Sequence, residues 1–303
     1  MPFAKHETFH IREGWLFKGM DAVRRDPTVF LAKDASERLG LGKNMVRALR
    51  FWMTATGLTE EYRENRRTCQ RLTDPFGQLV WEHDRYLEEE GTLWLIHYHL
   101  VRGQGAATAW YWFFNRFSQP VFDQSSFVSA LHSWVIGAEE KSISEKSLKR
   151  DFDCLVRTYL PDRRARSPED LMECPLSQLG LMAEADNGRV RRYRLLRPDP
   201  SRIDPLVLLY VLLHWQEGKS NKNQSGSRQV GLAQVLRGPG NAGRVFNLGT
   251  VGLSEGLTRL NDEHPDLAVR LTRTAGLDQL TLPVATAEEV LIRYCETRRW
   301  EGR

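Results

Sequence analysis

Two carboxylates and a histidine within residues 81 to 100, WEHDRYLEEEGTLWLIHYHL, have side chains suited to hydrolysing a phosphodiester bond. Asp84 and Glu88 are four residues apart, a spacing that puts both on one face of a helix, where they could hold one divalent ion. Such an ion activates water for attack on phosphorus, and His97 follows as a candidate acid or base. We therefore expect Asp84, Glu88 and His97 to be catalytic, with Mg²⁺ or Mn²⁺ bound by Asp84 and Glu88.

The histidine has a second interpretation. His97 falls at helical spacing with the apolar residues Leu93, Trp94 and Leu100, and a histidine in that pattern is typically buried and hydrogen-bonded. His99 cannot bind the same ion, because side chains two residues apart on a helix diverge by about 200°. A catalytic and a structural His97 both remain open from the sequence.

Other features exclude several classes of function. The 303 residues contain no Walker lysine motif, Rossmann glycine fingerprint, G-x-S-x-G elbow or H-E-x-x-H zinc motif. Nucleotide-driven motors, dehydrogenases, α/β-hydrolases and zincins are therefore disfavoured. The four cysteines, Cys69, Cys154, Cys174 and Cys295, form no C-x-x-C pair, so we expect reduced, mostly buried thiols rather than a zinc site or a sulfur carrier.

Charge and hydropathy indicate the type of partner and the compartment. Lys and Arg number 43 against 39 acidic residues, giving a formal net charge of +4, which is compatible with a polyanionic partner. The N-terminus MPFAKHETFHIREG has no apolar signal-peptide core, and no window approaches a membrane span of about 18 apolar residues. We expect a cytoplasmic protein without membrane association.

The first element that could position a polyanion is a helix beginning near Lys43. Met45, Leu49 and Trp52 recur at helical intervals and predict an inward stripe, and a short helix ended by Gly40 precedes it. A short helix, a tight turn and a longer basic helix are typical of a helix-turn-helix, although an amphipathic helix with solvated cations is the alternative. The predicted DNA-binding residues here are Lys33, Lys43, Asn44, Arg47 and Arg50.

The sequence pattern that follows this helix is repeated later in the chain. Gly57-Leu58 is followed by an Arg-rich run and then Leu72, whereas Gly180-Leu181 is followed by a turn and then Leu195. From the glycine to the later leucine the separation is 15 residues in both segments. A Gly-Leu before two short charged strands is typical of a winged-helix domain, so we predict two copies of one such unit.

A second basic helix is predicted within SISEKSLKRDFDCLVRTYL, ahead of the second Gly-Leu. Its inward stripe consists of Leu148, Phe152, Leu155 and Tyr159. We expect Asp151 and Asp153 to form ion pairs within the helix. The predicted DNA-binding residues on its outward face are Lys146, Lys149, Arg150 and Arg157.

The last third of the chain has a weaker form of the same pattern. DPLVLLYVLLHWQE predicts a buried helix, NLGTVGLSEGLTRLNDE another helix and AVRLTRTAGLDQLTL a hairpin. Prolines near 118–124 and 198–204 indicate domain boundaries. We predict a mainly α fold with small β wings, built from tandem winged helix-turn-helix-like units. They are an N-terminal DNA-binding unit (1–120), a second unit (121–200) and a C-terminal helical or winged-helix-like domain (201–303).

An aromatic run, TAWYWFFNRF at residues 108 to 117, predicts a core helix, because its rings recur at helical spacing. The alternative is a stacking platform for unpaired bases, which only Tyr111 and Trp112 could form, with Arg116 beside them.

Five blocks of the sequence resemble the bacterial SspB family: GWLFKGMDAV, FLAKDASERLGLGKNMVRALRFWMTATGL, DRYLEEEGTLWLIHYHL, TAWYWFFN and SLKRDFDCLVRTYL. The resemblance extends from about residue 14 to 200. It implies a DNA-nicking component of a single-strand DNA phosphorothioation system that serves phage defence, in the manner of restriction-modification. It also implies partners: double-stranded DNA, a cysteine desulfurase, an ATPase and an ATP pyrophosphatase-like sulfurtransferase.

The resemblance identifies no catalytic residue, so the candidate residues above come from their chemistry alone. A different class of function is also compatible with the sequence: a non-catalytic winged-helix scaffold or regulator that binds DNA and recruits the sulfur-transfer machinery. Nicking by the isolated protein would distinguish the two.

Overall fold

The structure, a computed structural model, describes residues 1–138, 143–161, 173–186, 190–219, 228–274 and 277–298. The part of the chain that it describes is mainly helical, with small antiparallel sheets, which confirms the predicted fold class at that level.

The described helices are α1 (Trp15–Arg25), α2 (Ala35–Leu39), α3 (Lys43–Ala55), α4 (Phe76–His83), α5 (Glu90–Val101), α6 (Thr108–Asn115), α7 (Gln124–Gly137), α8 (Glu145–Tyr159), α9 (Pro205–Glu217), α10 (Leu232–Arg237), α11 (Ala242–Val245), α12 (Thr250–Glu263) and α13 (Ala287–Thr297). The strands are β1 (Thr59–Glu64), β2 (Arg67–Leu72), β3 (Met182–Asp186), β4 (Arg192–Leu195), β5 (Gln229–Gly231), β6 (Arg270–Thr274) and β7 (Leu277–Thr281). Short 3-10 helices lie at Val29–Leu31, Pro175–Leu179, Pro200–Arg202 and Pro265–Leu267.

The first three helices form where the periodicity predicts them. Gly40 ends α2 in the left-handed region with φ 60°, a conformation that glycine adopts without steric cost, and α3 begins three residues later. Leu49 and Trp52 of α3 are fully buried and Met45 is half-buried, so the predicted inward stripe is confirmed. Helices α1 and α2 both pack on α3.

Two hairpins lie where the sequence pattern is repeated, after Gly57-Leu58 and after Gly180-Leu181. Gly57 and Gly180 both have positive φ, at 74° and 65°, and the leucine after each is fully buried. Strand β1 then pairs antiparallel with β2, and β3 with β4. The first pair of each ladder joins the residue two after the glycine to the residue fifteen after it, Thr59 to Leu72 and Met182 to Leu195. The two hairpins therefore start with the same pairing, and the second departs from it at an irregularity between Glu184 and Asp186.

The C-terminal segment contains the predicted helix and hairpin as α12 and β6–β7. It adds a feature that the sequence did not predict: β5, which precedes α10, pairs with β7 to give a three-stranded sheet in the order β5-β7-β6. The strand is only three residues long, which is too short to show an alternation pattern in the sequence.

Helices α5, α6 and α9 carry the most apolar surface. Every residue of α6 is buried, including Tyr111 and Trp112, so the core-helix interpretation of the aromatic run is confirmed and a stacking platform there is wrong. The rings pack edge-on and tilted against one another, as between Trp112 and Phe127, whose centroids lie 5.2 Å apart. The buried hydrophobic side chains of the described residues, from Ile11 to Cys295, form one cluster.

The N-terminal segment crosses between α3 and α8. His6 is fully buried, its ring stacks on Trp52 of α3, and its Nε2 lies 2.8 Å from Oδ1 of Asp151 on α8. Because the backbone N–H of Thr8 donates to Nδ1, the proton of the neutral ring sits on Nε2 and is donated to Asp151. The prediction that Asp151 pairs within its own helix is therefore wrong. Asp153 accepts a hydrogen bond from Gln124 of α7 instead of pairing within α8.

The expected boundary at 118–124 lies largely before α7, whereas the one at 198–204 contains the 3-10 helix Pro200–Arg202 and precedes α9. The division into three domains stays a prediction. Among the described residues, no helix has both the length and the apolar character needed to cross a bilayer.

Candidate functional site

The candidate carboxylates lie in the connection between α4 and α5. Helix α4 ends at His83, Asp84 has non-helical backbone angles (φ −151°, ψ 54°), and α5 begins only at Glu90, so the prediction that Asp84 and Glu88 share a helix is wrong. The reason is local: Oδ1 of Asp84 accepts the N–H of Glu88 at 2.8 Å, and Oδ2 accepts that of Glu89 at 3.1 Å. A side chain that binds backbone groups ahead of it competes with continued helix.

Asp84 is buried, whereas Glu88 is exposed. Desolvation raises the pKa of Asp84, against the opposing effect of the backbone N–H groups of Glu88 and Glu89. The cavity beside Asp84 has a volume of about 10 Å³ and is lined on one side by Tyr294 of α13 and by Arg298, which follows that helix. Both carboxylate oxygens of Asp84 are directed at backbone N–H groups and Glu88 is exposed, so the two residues do not form a preformed metal site.

His97 is fully buried in the middle of α5. Its Nε2 lies 2.8 Å from the carbonyl oxygen of Val245 and must donate to it, which leaves Nδ1 to accept the hydroxyl proton of Tyr159 at 2.8 Å. Burial lowers the pKa of His97 to about 4. Both ring nitrogens are used, and this geometry supports the structural interpretation. The acid or base role of His97 stays a prediction.

No group of three or more His, Cys, Asp or Glu side chains that could hold a metal ion occurs among the described residues. All four cysteines are unbonded and buried, as predicted. Burial raises the pKa of Cys174 and of Cys295 to about 12, which disfavours the thiolate needed for sulfur transfer or metal binding.

The predicted cations of the first unit divide into two groups. Lys33, Lys43, Asn44 and Arg47 are exposed, and Arg47 has only a long contact of 3.8 Å with Glu7. Arg50 is less exposed and donates from Nε to Oε1 of Glu61 at 2.8 Å, which attaches strand β1 to α3. Lys43, Asn44 and Arg47 lie in the first two turns of α3, where they can approach an anion, and Lys33 precedes α2.

The turn between β1 and β2 adds cations that the sequence reasoning did not single out. Arg63, Arg66 and Arg67 are exposed, and none forms an ion pair with a described residue. Asn65 and Arg66 have positive φ, 47° and 66°, which builds the tight two-residue turn that projects them. The sequence ENRR, which lies between two strand-like runs of equal length, could have indicated this turn and its cations.

On α8 all four predicted cations, Lys146, Lys149, Arg150 and Arg157, are exposed. Lys149 pairs with Glu145 one turn earlier at 2.7 Å. Between α8 and the β3–β4 hairpin runs a groove of about 650 Å³ in which Arg157 and Arg191 alternate with Asp153 and Glu184. Its charge is mixed, in contrast to the basic turn of the first hairpin.

Comparisons with known proteins cover nearly the whole chain. The sequence model of a family described as "Protein of unknown function (DUF4007)" matches residues 3–294. A crystal structure of magnesium ion-bound SspB is 28% identical and superposes with a TM-score of 0.84, over 99% of this chain and 90% of that one. A second SspB crystal structure is 29% identical with a TM-score of 0.83 and the same coverage. No curated protein matches the sequence.

Proposed function

Because the chain belongs to the DUF4007 family and is recognised as an SspB-type protein by its fold, we propose that it nicks DNA in a phosphorothioation system. The breaks would allow sulfur to enter the DNA backbone, in a modification system that serves phage defence. Its proposed partners are double-stranded DNA, a cysteine desulfurase, an ATPase and an ATP pyrophosphatase-like sulfurtransferase, in the cytoplasm. The support for this assignment is the agreement in fold over 99% of the chain, together with the sequence blocks described above.

Three tandem winged-helix units are part of the proposal. In the first, α2 and α3 are followed directly by the β1–β2 hairpin, and in the second, α8 and a 3-10 helix are followed by a hairpin that starts with the same pairing. In the third, β5 precedes α10 and α12, and pairs with the last strand of the hairpin that follows them. A helix pair followed by a hairpin wing is the order of elements that a winged helix requires.

The observation that carries the DNA-binding part is the arrangement of exposed cations on α3 and on the β1–β2 turn. Lys43 and Arg47 flank Asn44 on the helix, and Arg66 and Arg67 lie at the turn. The bond from Gln70 of β2 to Thr54 of α3 fixes the hairpin against the helix. Cations on two rigid elements can contact several phosphates together, and Asn44 with Arg47 suits base edges in a major groove.

Duplex binding tests this surface. We expect the double substitution Arg66→Ala with Arg67→Ala to weaken binding and to lower the slope of log K against log salt by about 0.9 for each phosphate that is no longer neutralised. Arg270→Ala, which removes an exposed arginine from strand β6, is the matched control and should leave the slope unchanged. An unchanged slope in the double variant would mean that the first hairpin does not face DNA.

Nicking is proposed with a divalent ion, Mg²⁺ or Mn²⁺, since one similar SspB structure is magnesium ion-bound. We assign no ion to Asp84 and Glu88, because the geometry around Asp84 does not fit one. The test is relaxation of supercoiled plasmid by the purified protein with each metal and with EDTA. Metal-dependent relaxation that co-purifies with the chain supports the nickase. Salt-sensitive DNA binding without relaxation would favour the scaffold that recruits the sulfur-transfer machinery.

A further inference from the structure

A cluster of aromatic rings and arginines lies on the surface beside the Asp84 connection. We call it the Trp81 cluster, and it consists of Phe17, Arg24, Trp81, Arg85 and Tyr86. Phe17 and Arg24 come from one face of α1, because they are seven residues apart. Trp81 lies on α4, and Arg85 and Tyr86 lie in the turn that follows it.

The rings and the guanidinium groups are layered. The Phe17 ring is nearly parallel to Trp81, at an interplanar angle of 4° and 6.0 Å between centroids, and its centroid is 4.7 Å from that of Tyr86. The guanidinium carbon of Arg24 lies 4.4 Å from the Trp81 centroid, and that of Arg85 lies 5.3 Å from it. The Phe17 ring is tilted by 38° against the Tyr86 ring, and the guanidinium carbon of Arg85 lies 5.8 Å from the Tyr86 centroid, so both side chains contact Tyr86.

Tyr86 is the most exposed ring of the cluster. Its side chain is 61% exposed, although tyrosine rings elsewhere in the described part of the chain, such as Tyr98 and Tyr159, are buried almost completely. Neither Arg24 nor Arg85 forms an ion pair with a described residue, whereas the neighbouring Arg25 pairs with Asp21 at 3.0 Å. The exposed Tyr86 ring therefore lies beside two guanidinium groups that no described carboxylate neutralises.

This combination selects an occupant with a flat π face and negative charge. An unpaired nucleotide has both, since its base stacks on an aromatic ring while its phosphate is attracted by arginine. A phosphate within a duplex offers no open base face to Tyr86, because its bases are stacked inside the helix. An unpaired strand is therefore favoured over a duplex at this position.

We propose that the Trp81 cluster is a stacking platform for an unpaired base of DNA, with Tyr86 as the contact ring and with Arg24 and Arg85 on the adjoining phosphates. The inference rests on the proposed function, because it adds an unpaired nucleotide to the DNA that the protein binds. It is independent of α3 and the β1–β2 hairpin, which supply the proposed duplex contacts.

The test compares two labelled DNAs by fluorescence anisotropy, an oligothymidylate of about 12 nucleotides and a duplex of the same length, in a range typical of single-strand sites. We expect Tyr86→Ala to weaken oligothymidylate binding by at least about fivefold, the lower end of what one base stack contributes, and to leave duplex binding unchanged. Tyr86→Phe retains the ring and should bind as the original protein does. Thermal unfolding verifies that both variants are folded.

A second pair of variants examines the arginines. Arg24→Ala with Arg85→Ala should lower the salt slope for the oligothymidylate by about 0.7 for each phosphate that is no longer neutralised, while Arg270→Ala should not. Oligothymidylate binding that is unaffected by Tyr86→Ala overturns the inference. If the original protein binds the duplex but not the oligothymidylate, the inference fails and the proposed function stands. If it binds neither DNA, both fail.

Discussion

Acid should destabilise this protein through the buried His97. The folded chain holds the ring neutral between Val245 and Tyr159, and burial lowers its pKa to about 4. In the unfolded chain a histidine titrates near the reference pKa of about 6.5. Between these two values the unfolded chain binds a proton that the folded chain does not. The stabilisation is therefore complete above pH 6.5 and is lost as the pH falls toward 4.

The magnitude follows from the separation of the two pKa values. A difference of roughly 2.5 pKa units corresponds to about 3 kcal/mol when the whole window is crossed. Between pH 7 and pH 5, the linkage relation gives a loss of about 2 kcal/mol in the free energy of unfolding from His97 alone. Burial also lowers the pKa of His214 to about 4 and that of His99, so the wild-type loss will exceed this value.

The assay isolates His97 by substitution. In His97→Gln, the amide can donate to Val245 and accept from Tyr159 without titrating, so the fall in stability between pH 7 and pH 5 should be smaller by about 2 kcal/mol. Guanidinium unfolding at both pH values measures this difference. Tyr159→Phe is the control, because it removes a hydrogen bond but retains the imidazole. Equal pH dependence in His97→Gln and the original protein would refute the reasoning.

Two further predictions concern backbone and side-chain positions that the fold fixes. At Gly57 the φ of 74° and a new methyl group 2.9 Å from Nδ1 of His99 should together cost about 2 to 4 kcal/mol in Gly57→Ala. The equivalent Gly180→Ala meets only the end of a flexible arginine and should cost about 1 to 2 kcal/mol, so equal losses in urea unfolding would contradict the packing argument. Asp151→Ala leaves the Nε2–H donor of the buried His6 without its acceptor, and should lower stability by about 1 to 3 kcal/mol in the same assay; no loss would mean that the pair is not formed.

The elements that local periodicity describes could be predicted from the sequence. Leu49 and Trp52 lie on one face of α3, and the burial of that face can be predicted without knowing which element packs against it. Gly57 and Gly180 mark the residues before which each hairpin cannot start. The pairing of His6 with Asp151 could not be predicted in this way. The two residues are 145 positions apart and meet only because the N-terminal segment passes between α3 and α8.

The candidate carboxylates show a different limit. A spacing of four residues is evidence for a shared helical face only if a helix is present, and the Asp84 side chain itself provides the competing interaction with the backbone. Leu87, with a φ of 61°, then takes a conformation that no helix contains. The exposed cations were predicted more successfully, because an outward position on an amphipathic helix follows from the inward stripe.

The exposed charges of α3 and α8 differ from those of α12, and this difference bears on which helices can contact DNA. The outer faces of α3 and α8 carry exposed cations, including Arg47 and Arg150. The outer face of α12 instead exposes Glu255 and Asp262, together with Val251 at 71%. Phosphates repel such a face, since neutralisation by cations supplies most of the affinity that does not depend on sequence. The proposed winged-helix order therefore does not by itself make the proposed third unit a DNA-binding unit.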